Sequence, residues 1–242
     1  MNLSKIYLIG TFSNWHRTYN ATRDLKKHFP GVDIQVCAAV DRNTIRVKDD
    51  IAYSDGNHVG NMTKIPLLCG VMEGNFGRLA CSMSHTNVII DAYENGHKYI
   101  LVAEDDLLLW RNAKKIFQES LWSAPEDWEL LRLSWYPSPK INVKDITDYR
   151  YSGNGIRWTE LYLLNRIWIE KLYKHLLEWS RCSFDLQLHK LIKINQYIIK
   201  YSLGIQWNNY ENDVPAGEKN KATTQHNKWW YTIPGKKFYL TI

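Results

Sequence analysis

Residues 98–106 have the sequence KYILVAEDD, in which an apolar run leads directly into three acidic residues. The run Lys98–Ala103 predicts a central buried strand. Glu104, Asp105 and Asp106 then lie at its carboxyl end. In parallel α/β sheets, ligands bind at the carboxyl ends of strands. This segment therefore predicts both a strand and a ligand site.

The three adjacent acidic residues predict a metal site. Adjacent carboxylates repel one another, so a fold keeps them together when something offsets their charge. A divalent cation is the expected offset, because oxygen ligands suit a Mg²⁺ or Mn²⁺ ion that also holds a diphosphate. A solvated acidic turn after a strand is the alternative, and the spacing alone leaves both interpretations open.

A helix and a βαβ unit precede this strand. One helical face carries apolar and small residues at spacings of three and four, and Gly96 ends it; these residues are Leu79, Met83, Thr86, Ile90 and Tyr93. Upstream, residues 5–10 predict a buried strand, Tyr19–Phe29 a helix closed by Pro30 and Gly31, and 32–40 a second strand. This order predicts a parallel sheet.

The remaining segments complete an α/β pattern. Residues 41–76 are predicted to be irregular, and the later predicted elements are a helix from Asn112 to Leu121, a strand Trp128–Trp135, helices Asn165–Trp179 and Phe184–Asn195, and a strand Tyr197–Ser202. We therefore expect a single α/β domain over residues 1–216, with a mostly parallel sheet flanked by helices. Residues 217–242 are expected to form a basic aromatic C-terminal tail or lid.

Composition limits the partners and the compartment. The 242-residue chain has a formal net charge of +6, which favours anionic partners but is too small to indicate nucleic acid. The four cysteines are widely spaced and predict free thiols in a reducing compartment; they are Cys37, Cys69, Cys81 and Cys182. No apolar run is long enough for a membrane span and no signal pattern is present, so the expected location is cytoplasmic.

The helix and the acidic strand together resemble glycosyltransferase family 25. The resemblance rests on Gly77-Arg78-Leu79-Ala80-Cys81-Ser82-Met83-Ser84-His85 followed by Val102-Ala103-Glu104-Asp105-Asp106. The family pattern is roughly G-C-x-x-S-H, a helix, and an apolar strand ending in E-D-D. Cys81, Ser84 and His85 fall on family positions, whereas Ala80 replaces the usual glycine. Weaker matches extend the resemblance over residues 5 to about 210.

This resemblance implies a fold, a donor and a cofactor. The fold would be of GT-A type, with a nucleotide-binding sheet. The family is associated with UDP-galactose, with Mn²⁺ or Mg²⁺ and with inversion at the anomeric carbon. The acceptor would be a glycan such as lipooligosaccharide, anionic or lipid-linked, which points to lipopolysaccharide biosynthesis.

The resemblance also suggests roles for individual residues. Asp106 is the first candidate for a metal ligand and Asp105 the second, while Glu104 would order the turn or touch the nucleotide sugar. The other candidates for the donor site, each with an ordinary structural role as the alternative, are Arg17, Asp41, Arg78, Ser84 and His85.

An inverting transfer also needs a general base for the acceptor hydroxyl. Asp185 is the candidate, ahead of Glu160 and Asp213, although a carboxylate in the first turn of a helix is the alternative interpretation of Asp185. His226 is expected, by analogy with GT-A enzymes alone, to complete the metal site.

The C-terminal segment alternates lysines with aromatic residues. It would recognise an anionic glycan acceptor, or hold the protein peripherally at the inner face of an anionic membrane. A poorly ordered basic tail is the plainer alternative.

Three other functions compete with glycosyl transfer. A non-catalytic nucleotide-sugar- or carbohydrate-binding protein on the same fold would be expected to have a damaged acidic motif, and here all three carboxylates are present. A metal-dependent nuclease or phosphotransferase would need further clustered acids or a phosphate-binding glycine loop, and no such loop is found. No nucleic-acid-binding motif is found either.

Overall fold

The computed structural model describes residues 2–11, 14–48, 51–54, 64–66, 76–134, 160–175, 195–199, 201–206, 232–233 and 236–237. The chain has two compact units, Met1–Trp207 and Asn208–Ile242. The boundary at residue 216 that the sequence suggests remains a prediction. Among the described residues, no helix is long and apolar enough to cross a membrane.

Within the part of the chain that the structure describes, a six-stranded sheet forms the centre of the first unit. Its strands are β1 (Lys5–Gly10), β2 (Ile34–Ala38), β6 (Tyr99–Glu104), β8 (Leu130–Arg132), β9 (Leu161–Asn165) and β10 (Gln196–Ile198), in the spatial order β10-β8-β9-β6-β1-β2. Three of the five pairings are parallel and β9 runs antiparallel to both of its neighbours. The α/β class expected from the sequence is confirmed.

Among the described residues, four helices cover the sheet, and they are α1 (Trp15–His28), α2 (Phe76–Glu94), α3 (Ala113–Ser123) and α4 (Arg166–His175). Alternate residues of β1 point to opposite faces, as the pleat requires. Ile6 and Leu8 pack in the cluster that contains residues of α1 and α3. Tyr7 and Ile9 pack in the cluster that contains residues of α2 and α4. The fold is therefore a sheet between two helical layers.

The order of these connections defines a switch point. The chain passes from β1 through α1 to β2 on one face, and then through α2 to β6 on the other face. Strand β1 therefore lies between β2 and β6, with both neighbours parallel to it. At such a point the helices diverge and leave a crevice beyond the carboxyl ends of the strands, where α/β proteins bind ligands.

Two glycines end helices as the sequence predicts. Gly96 has φ +68° and its N–H donates to the carbonyl of Tyr93 at 3.1 Å, closing the end of α2. Gly31 follows α1 with φ +81°. A side chain is strained at positive φ, so these positions favour glycine.

The described part of the segment 41–76 contains regular elements, whereas the sequence predicts an irregular loop. It begins with a 3₁₀ turn over Arg42–Thr44. Three short antiparallel strands follow, and they are β3 (Ile45–Lys48), β4 (Ile51–Ser54) and β5 (Lys64–Pro66). The prediction was wrong here because strands of three or four residues are too short to give a clear alternating pattern.

Several other boundaries shift. Helix α1 begins at Trp15 rather than Tyr19, and α2 is buried on more than the predicted face, since every residue from Ser82 to Ile90 is buried. The short strands β7 (Leu107–Leu109) and β11 (Gly204–Gln206), which pair antiparallel, were not predicted. The predicted helix Phe184–Asn195 lies outside the described residues, apart from Asn195. In the second unit, β12 (Thr232–Ile233) and β13 (Lys236–Lys237) form a hairpin.

Candidate functional site

The acidic residues lie at the switch point between β1 and β6. Glu104 ends β6 and pairs with Ile9 of β1 in the parallel register. The N–H of Asp105 donates to the carbonyl of Ile9 at 2.9 Å, and the N–H of Glu104 donates to the carbonyl of Glu160 at 2.9 Å. The backbones of β1 and of the segment before β9 therefore fix the turn that presents the three side chains.

Asp105 is held by several donors. Arg17 donates to its Oδ1 at 2.5 Å, and its Oδ2 accepts hydrogen bonds from the Thr11 N–H at 3.0 Å and from Thr18 Oγ1 at 3.1 Å. Burial raises the pKa of Asp105, while the Arg17 charge acts in the opposite direction. Both oxygens are thus engaged in joining α1 to the ends of β1 and β6.

Only one of the two carboxylate oxygens of Asp106 has partners among the described residues. Its Oδ2 accepts a hydrogen bond from Gln206 Nε2 at 2.6 Å and lies 3.5 Å from the Arg17 guanidinium. Its Oδ1 is buried and has no hydrogen-bond partner within the described part of the chain. Burial, followed by the charge of Glu104, raises the pKa of Asp106 to about 7. A buried carboxylate oxygen without a donor is costly and fits a position that a cation would occupy.

Glu160 adds a fourth carboxyl group that is not part of the acidic motif. It is buried, and its Oε2 accepts a hydrogen bond from Ser134 Oγ at 3.1 Å. Its Oε1 has no hydrogen-bond partner among the residues described. Burial raises the pKa of Glu160 well above its ordinary value, and the charges of Glu104 and Asp106 add to this effect. The carboxyl groups of Glu104, Asp106 and Glu160 therefore form one electrostatic cluster.

His85 orients Glu104 from the neighbouring helix. His85 is 1% exposed, its Nε2 lies 3.1 Å from Glu104 Oε1, and its Nδ1 lies 2.7 Å from the hydroxyl of Tyr162. Both ring nitrogens are thus occupied, and the ring joins α2 to β6 and β9. The structure thus places His85 beside Glu104, and its expected role at the donor site remains a prediction.

The other predicted residues have different surroundings. Ser84 donates to the carbonyl of Ala80 at 2.7 Å and accepts from the Val40 N–H at 2.9 Å, so it joins α2 to the segment after β2. Asp41 is exposed and caps the 3₁₀ turn by accepting from the Asn43 N–H at 2.8 Å.

Four candidate residues have side chains outside the described part of the structure. Arg78 lies in α2, but its side chain is outside the described part of the structure. The proposed base Asp185 and the proposed metal ligand His226 also fall outside the described residues, as does Asp213. Their roles remain predictions.

Sequence reasoning missed the residues that hold the acids in place. Thr11, Thr18 and Gln206 all donate to Asp105 or Asp106. Thr11 and Thr18 follow β1, and a polar segment after a strand at a switch point is a usable signal. Gln206 is brought to the site by the pairing of β11 with β7, in which it lies opposite Leu107, and the sequence contains no clear sign of that pairing.

The chemistry of this donor set fits a divalent cation. Glu104, Asp105, Asp106 and Glu160 supply four carboxyl groups, and Arg17 forms ion pairs with two of them, Asp105 and Asp106. Oxygen-rich sites with unfilled carboxylate positions suit Mg²⁺ or Mn²⁺. The residues present therefore fit the ion that the sequence suggests, with Asp106 and Glu160 providing the unpartnered oxygens.

Part of the chain matches a family of known transferases. Residues 73–192 match the family described as glycosyltransferase family 25 (LPS biosynthesis protein), a range that includes α2, β6 and the acidic residues. The fold is also similar to a crystal structure of a glycosyltransferase involved in the glycosylation of the major capsid of PBCV-1. That similarity has a TM-score of 0.47 and 9% identity, covering 86% of this chain and 94% of that chain. No curated protein matches the chain. The family match supports a glycosyltransferase.

Proposed function

We propose that this chain, whose residues 73–192 match glycosyltransferase family 25, is a metal-dependent GT-A enzyme that transfers galactose from UDP-galactose to a glycan acceptor. An acceptor such as lipooligosaccharide agrees with the association of that family with LPS biosynthesis. Transfer proceeds with inversion at the anomeric carbon. The observation that supports the proposal most directly is the buried, unpartnered Oδ1 of Asp106 at the switch point of the sheet.

Asp106 is the residue we assign to the metal, with Glu160 and Glu104 as its acidic neighbours. A bound Mn²⁺ or Mg²⁺ ion would stabilise the negative charge that develops on the departing nucleoside diphosphate. Arg17 and Gln206 hold the other oxygen of Asp106, which directs the carboxylate. Asp105 has both oxygens bound by Arg17, Thr11 and Thr18, and this arrangement favours a positioning role over the predicted metal contact.

The acceptor hydroxyl must lose a proton as it attacks. Asp185 remains our candidate for the group that accepts it. Glu160 is the alternative supported by its position in the acidic cluster, and its raised pKa is a property often found in catalytic acids and bases. The variants Asp185→Asn and Glu160→Gln separate the two, because the base variant should bind donor normally and lose transfer.

Thermal unfolding with nucleotides tests the donor and the metal together. The protein would be heated with UDP, UDP-galactose, UDP-glucose or UDP-N-acetylglucosamine, each with Mn²⁺ or with EDTA. A ligand at about one hundred times its Kd stabilises by about 2.7 kcal/mol, which shifts the Tm by several degrees in a protein of this size. We expect this shift with uridine nucleotides plus Mn²⁺ and a much smaller one with EDTA.

Two variants complete the test. Asp106→Asn should lose the metal-dependent shift and the release of UDP while remaining folded. Asp33→Asn is the matched control, since Asp33 is exposed and pairs with Lys5 just before the amino end of β2, away from the site. A protein that responds to none of the nucleotides would leave the non-catalytic binding protein as the better interpretation.

We also propose that the basic aromatic tail contacts an anionic membrane surface where lipid-linked acceptors lie. Each lysine near such a surface contributes about 1 kcal/mol of binding free energy. Co-sedimentation of the full chain with vesicles containing an anionic phospholipid, compared with neutral vesicles, tests this. Replacing Lys219, Lys221 and Lys228 by glutamine should reduce binding, and equal binding to both vesicles would contradict the proposal.

A further inference from the structure

Helix α2 and strand β6 bring three chemically different metal-binding groups together. Cys81 and His85 are four residues apart on α2 and therefore lie on one face of the helix. Glu104 is the last residue of β6. One ligand atom from each residue, namely a thiol sulfur, an imidazole nitrogen and a carboxylate oxygen, lies within 4.8 Å of the other two.

This donor set shares Glu104 with the carboxyl groups around Asp106 but also contains a sulfur and a nitrogen ligand. Sulfur and imidazole nitrogen are ligands of zinc and other soft or borderline cations, whereas Mg²⁺ and Mn²⁺ prefer oxygen. Tetrahedral zinc bonds of about 2.0–2.3 Å place ligand atoms roughly 3.3–3.8 Å apart. His85 Nε2 and Glu104 Oε1 are 3.1 Å apart, close to this spacing, and Cys81 Sγ lies within 4.8 Å of both, so the cysteine side chain would move towards an ion that the three residues share.

A hydrogen bond at the second ring nitrogen orients the His85 imidazole, as in many metal sites. The Tyr162 hydroxyl lies 2.7 Å from His85 Nδ1, which leaves Nε2 directed at Glu104. Metal-binding histidines usually hydrogen-bond through their second nitrogen, and this contact fixes the ring orientation. Cys81 is partly exposed, which gives an ion a route from solvent to the buried His85.

We propose that Cys81, His85 and Glu104 form a binding site for Zn²⁺, separate from the site at Asp106. Three protein ligands leave a fourth position for water or another small ligand. The zinc would also offset the charge of Glu104, one of the charges acting on Asp106 and Glu160. This inference does not depend on the proposed transfer of galactose.

Cobalt is the spectroscopic probe for this site. Titrating the full reduced chain with Co²⁺ should produce a near-ultraviolet thiolate-to-cobalt charge-transfer band and strong visible bands typical of four-coordinate cobalt. Added Zn²⁺ should displace the cobalt and remove the bands. Cys81→Ser should abolish the charge-transfer band, and His85→Gln and Glu104→Gln should weaken cobalt binding. The control Cys37→Ser should retain the band, since the Cys37 thiol is buried on β2 and is not among the three grouped ligands.

Two further variants sharpen the assignment. Tyr162→Phe removes the contact to His85 without removing a ligand, so we expect zinc affinity to fall about 10- to 100-fold while the charge-transfer band persists at saturating Co²⁺. Asp106→Asn should leave the cobalt spectrum unchanged while it removes the nucleotide-dependent stabilisation by Mn²⁺. Failure of this inference and failure of the proposed function are therefore distinguishable.

Two results would overturn the proposal. The first is the absence of a charge-transfer band when circular dichroism shows that the protein is folded. The second is a band that survives Cys81→Ser and disappears in Cys69→Ser or Cys182→Ser. If Cys81→Ser does not fold, His85→Gln decides in its place, because a cobalt affinity equal to that of the unmodified protein would exclude His85 as a ligand.

Discussion

At the scale of single residues, neighbouring aspartates in one turn have different surroundings. Asp105 is engaged by Arg17 and by two further donors, whereas Asp106 keeps one oxygen without a partner among the described residues. Arg17 contacts both of them. A buried arginine between two buried carboxylates offsets their charges, and its removal leaves those charges without a counterion.

Replacing Arg17 by methionine should therefore destabilise the fold. We expect Arg17→Met to lower the free energy of unfolding by about 3–5 kcal/mol at neutral pH, the usual effect of breaking a buried ion pair. Urea denaturation measures it. The control is Arg23→Met on the exposed side of α1, which should change stability by less than about 0.5 kcal/mol. Equal losses in both variants would contradict a special role for Arg17.

The raised pKa values of Asp106 and Glu160 predict how stability depends on pH. In the unfolded chain, the two carboxyl groups lose their protons near pH 4, whereas folding raises the pKa of Asp106 to about 7 and that of Glu160 well above its ordinary value. The folded protein thus holds protons that the unfolded chain has released. Without added metal, the free energy of unfolding should fall as pH rises from about 4 to 7, by about 1.4 kcal/mol per unit and per proton.

Urea unfolding in EDTA across this range measures the effect. In the double variant Asp106→Asn, Glu160→Gln the dependence on pH should be much weaker, because amides do not titrate. A slope that the double variant leaves unchanged would show that other groups control it.

The sequence predicts the positions of these acids better than their partners. Glu104, Asp105 and Asp106 can be placed at a strand end because an apolar run precedes them. That Asp105 binds Arg17 depends on how closely α1 approaches β6, and a linear pattern does not encode this distance. Glu160 was recognised only as an alternative base, since it lies 54 residues beyond Asp106 and the two are brought together by the sheet.

At the scale of elements, close packing of α1 against β1 depends on Gly10. A Cβ atom at this position would lie 2.4 Å from Thr18 Oγ1, closer than non-bonded atoms approach. Gly10→Ala should therefore push α1 away from the sheet and disturb the contacts of Arg17 and Thr18 with Asp105. We expect a loss of about 1–3 kcal/mol, typical of overpacking, in urea denaturation.

A double variant separates the clash from other effects of Gly10→Ala. Thr18→Ala removes the clashing oxygen, so the combined variant should be more stable than the sum of the two single losses predicts. Strictly additive losses would mean that the alanine side chain at position 10 does not clash with Thr18.

Elements with clear periodicity or a defined end were predicted, and short paired strands were not. Strand β1 was predicted at its observed bounds, and the helix before β6 ends near the expected Gly96. Strands β7 and β11 have three residues each and exist through pairing with one another. Gly204 permits this pairing, since a Cβ there would lie 2.4 Å from the carbonyl oxygen of Leu108. Such long-range complementarity is not visible in a local sequence window.

At the scale of the whole molecule, stability should be unevenly distributed. Strands β1 and β6 are buried on both faces and paired on both edges. The sheet β3-β4-β5 has three short strands that pair with one another. Amides in such small sheets open more easily than those of a central sheet.

Hydrogen exchange followed by mass spectrometry tests this distribution. Peptides covering β1 and β6 should exchange slowest, and peptides covering β4 should exchange by orders of magnitude faster. Equal protection of β4 and β6 would show that the small sheet unfolds only with the whole unit.

The unpartnered oxygen of Asp106 also implies a conflict between thermal stability and activity. The Oδ1 of Asp106 is buried without a donor among the described residues, which lowers stability, and a neutral asparagine would reduce that penalty but would also remove the proposed metal ligand. Laboratory evolution that selected only for heat resistance would therefore tend to erase this carboxylate. A selection scheme that aims at a more robust enzyme must impose catalytic turnover in every round.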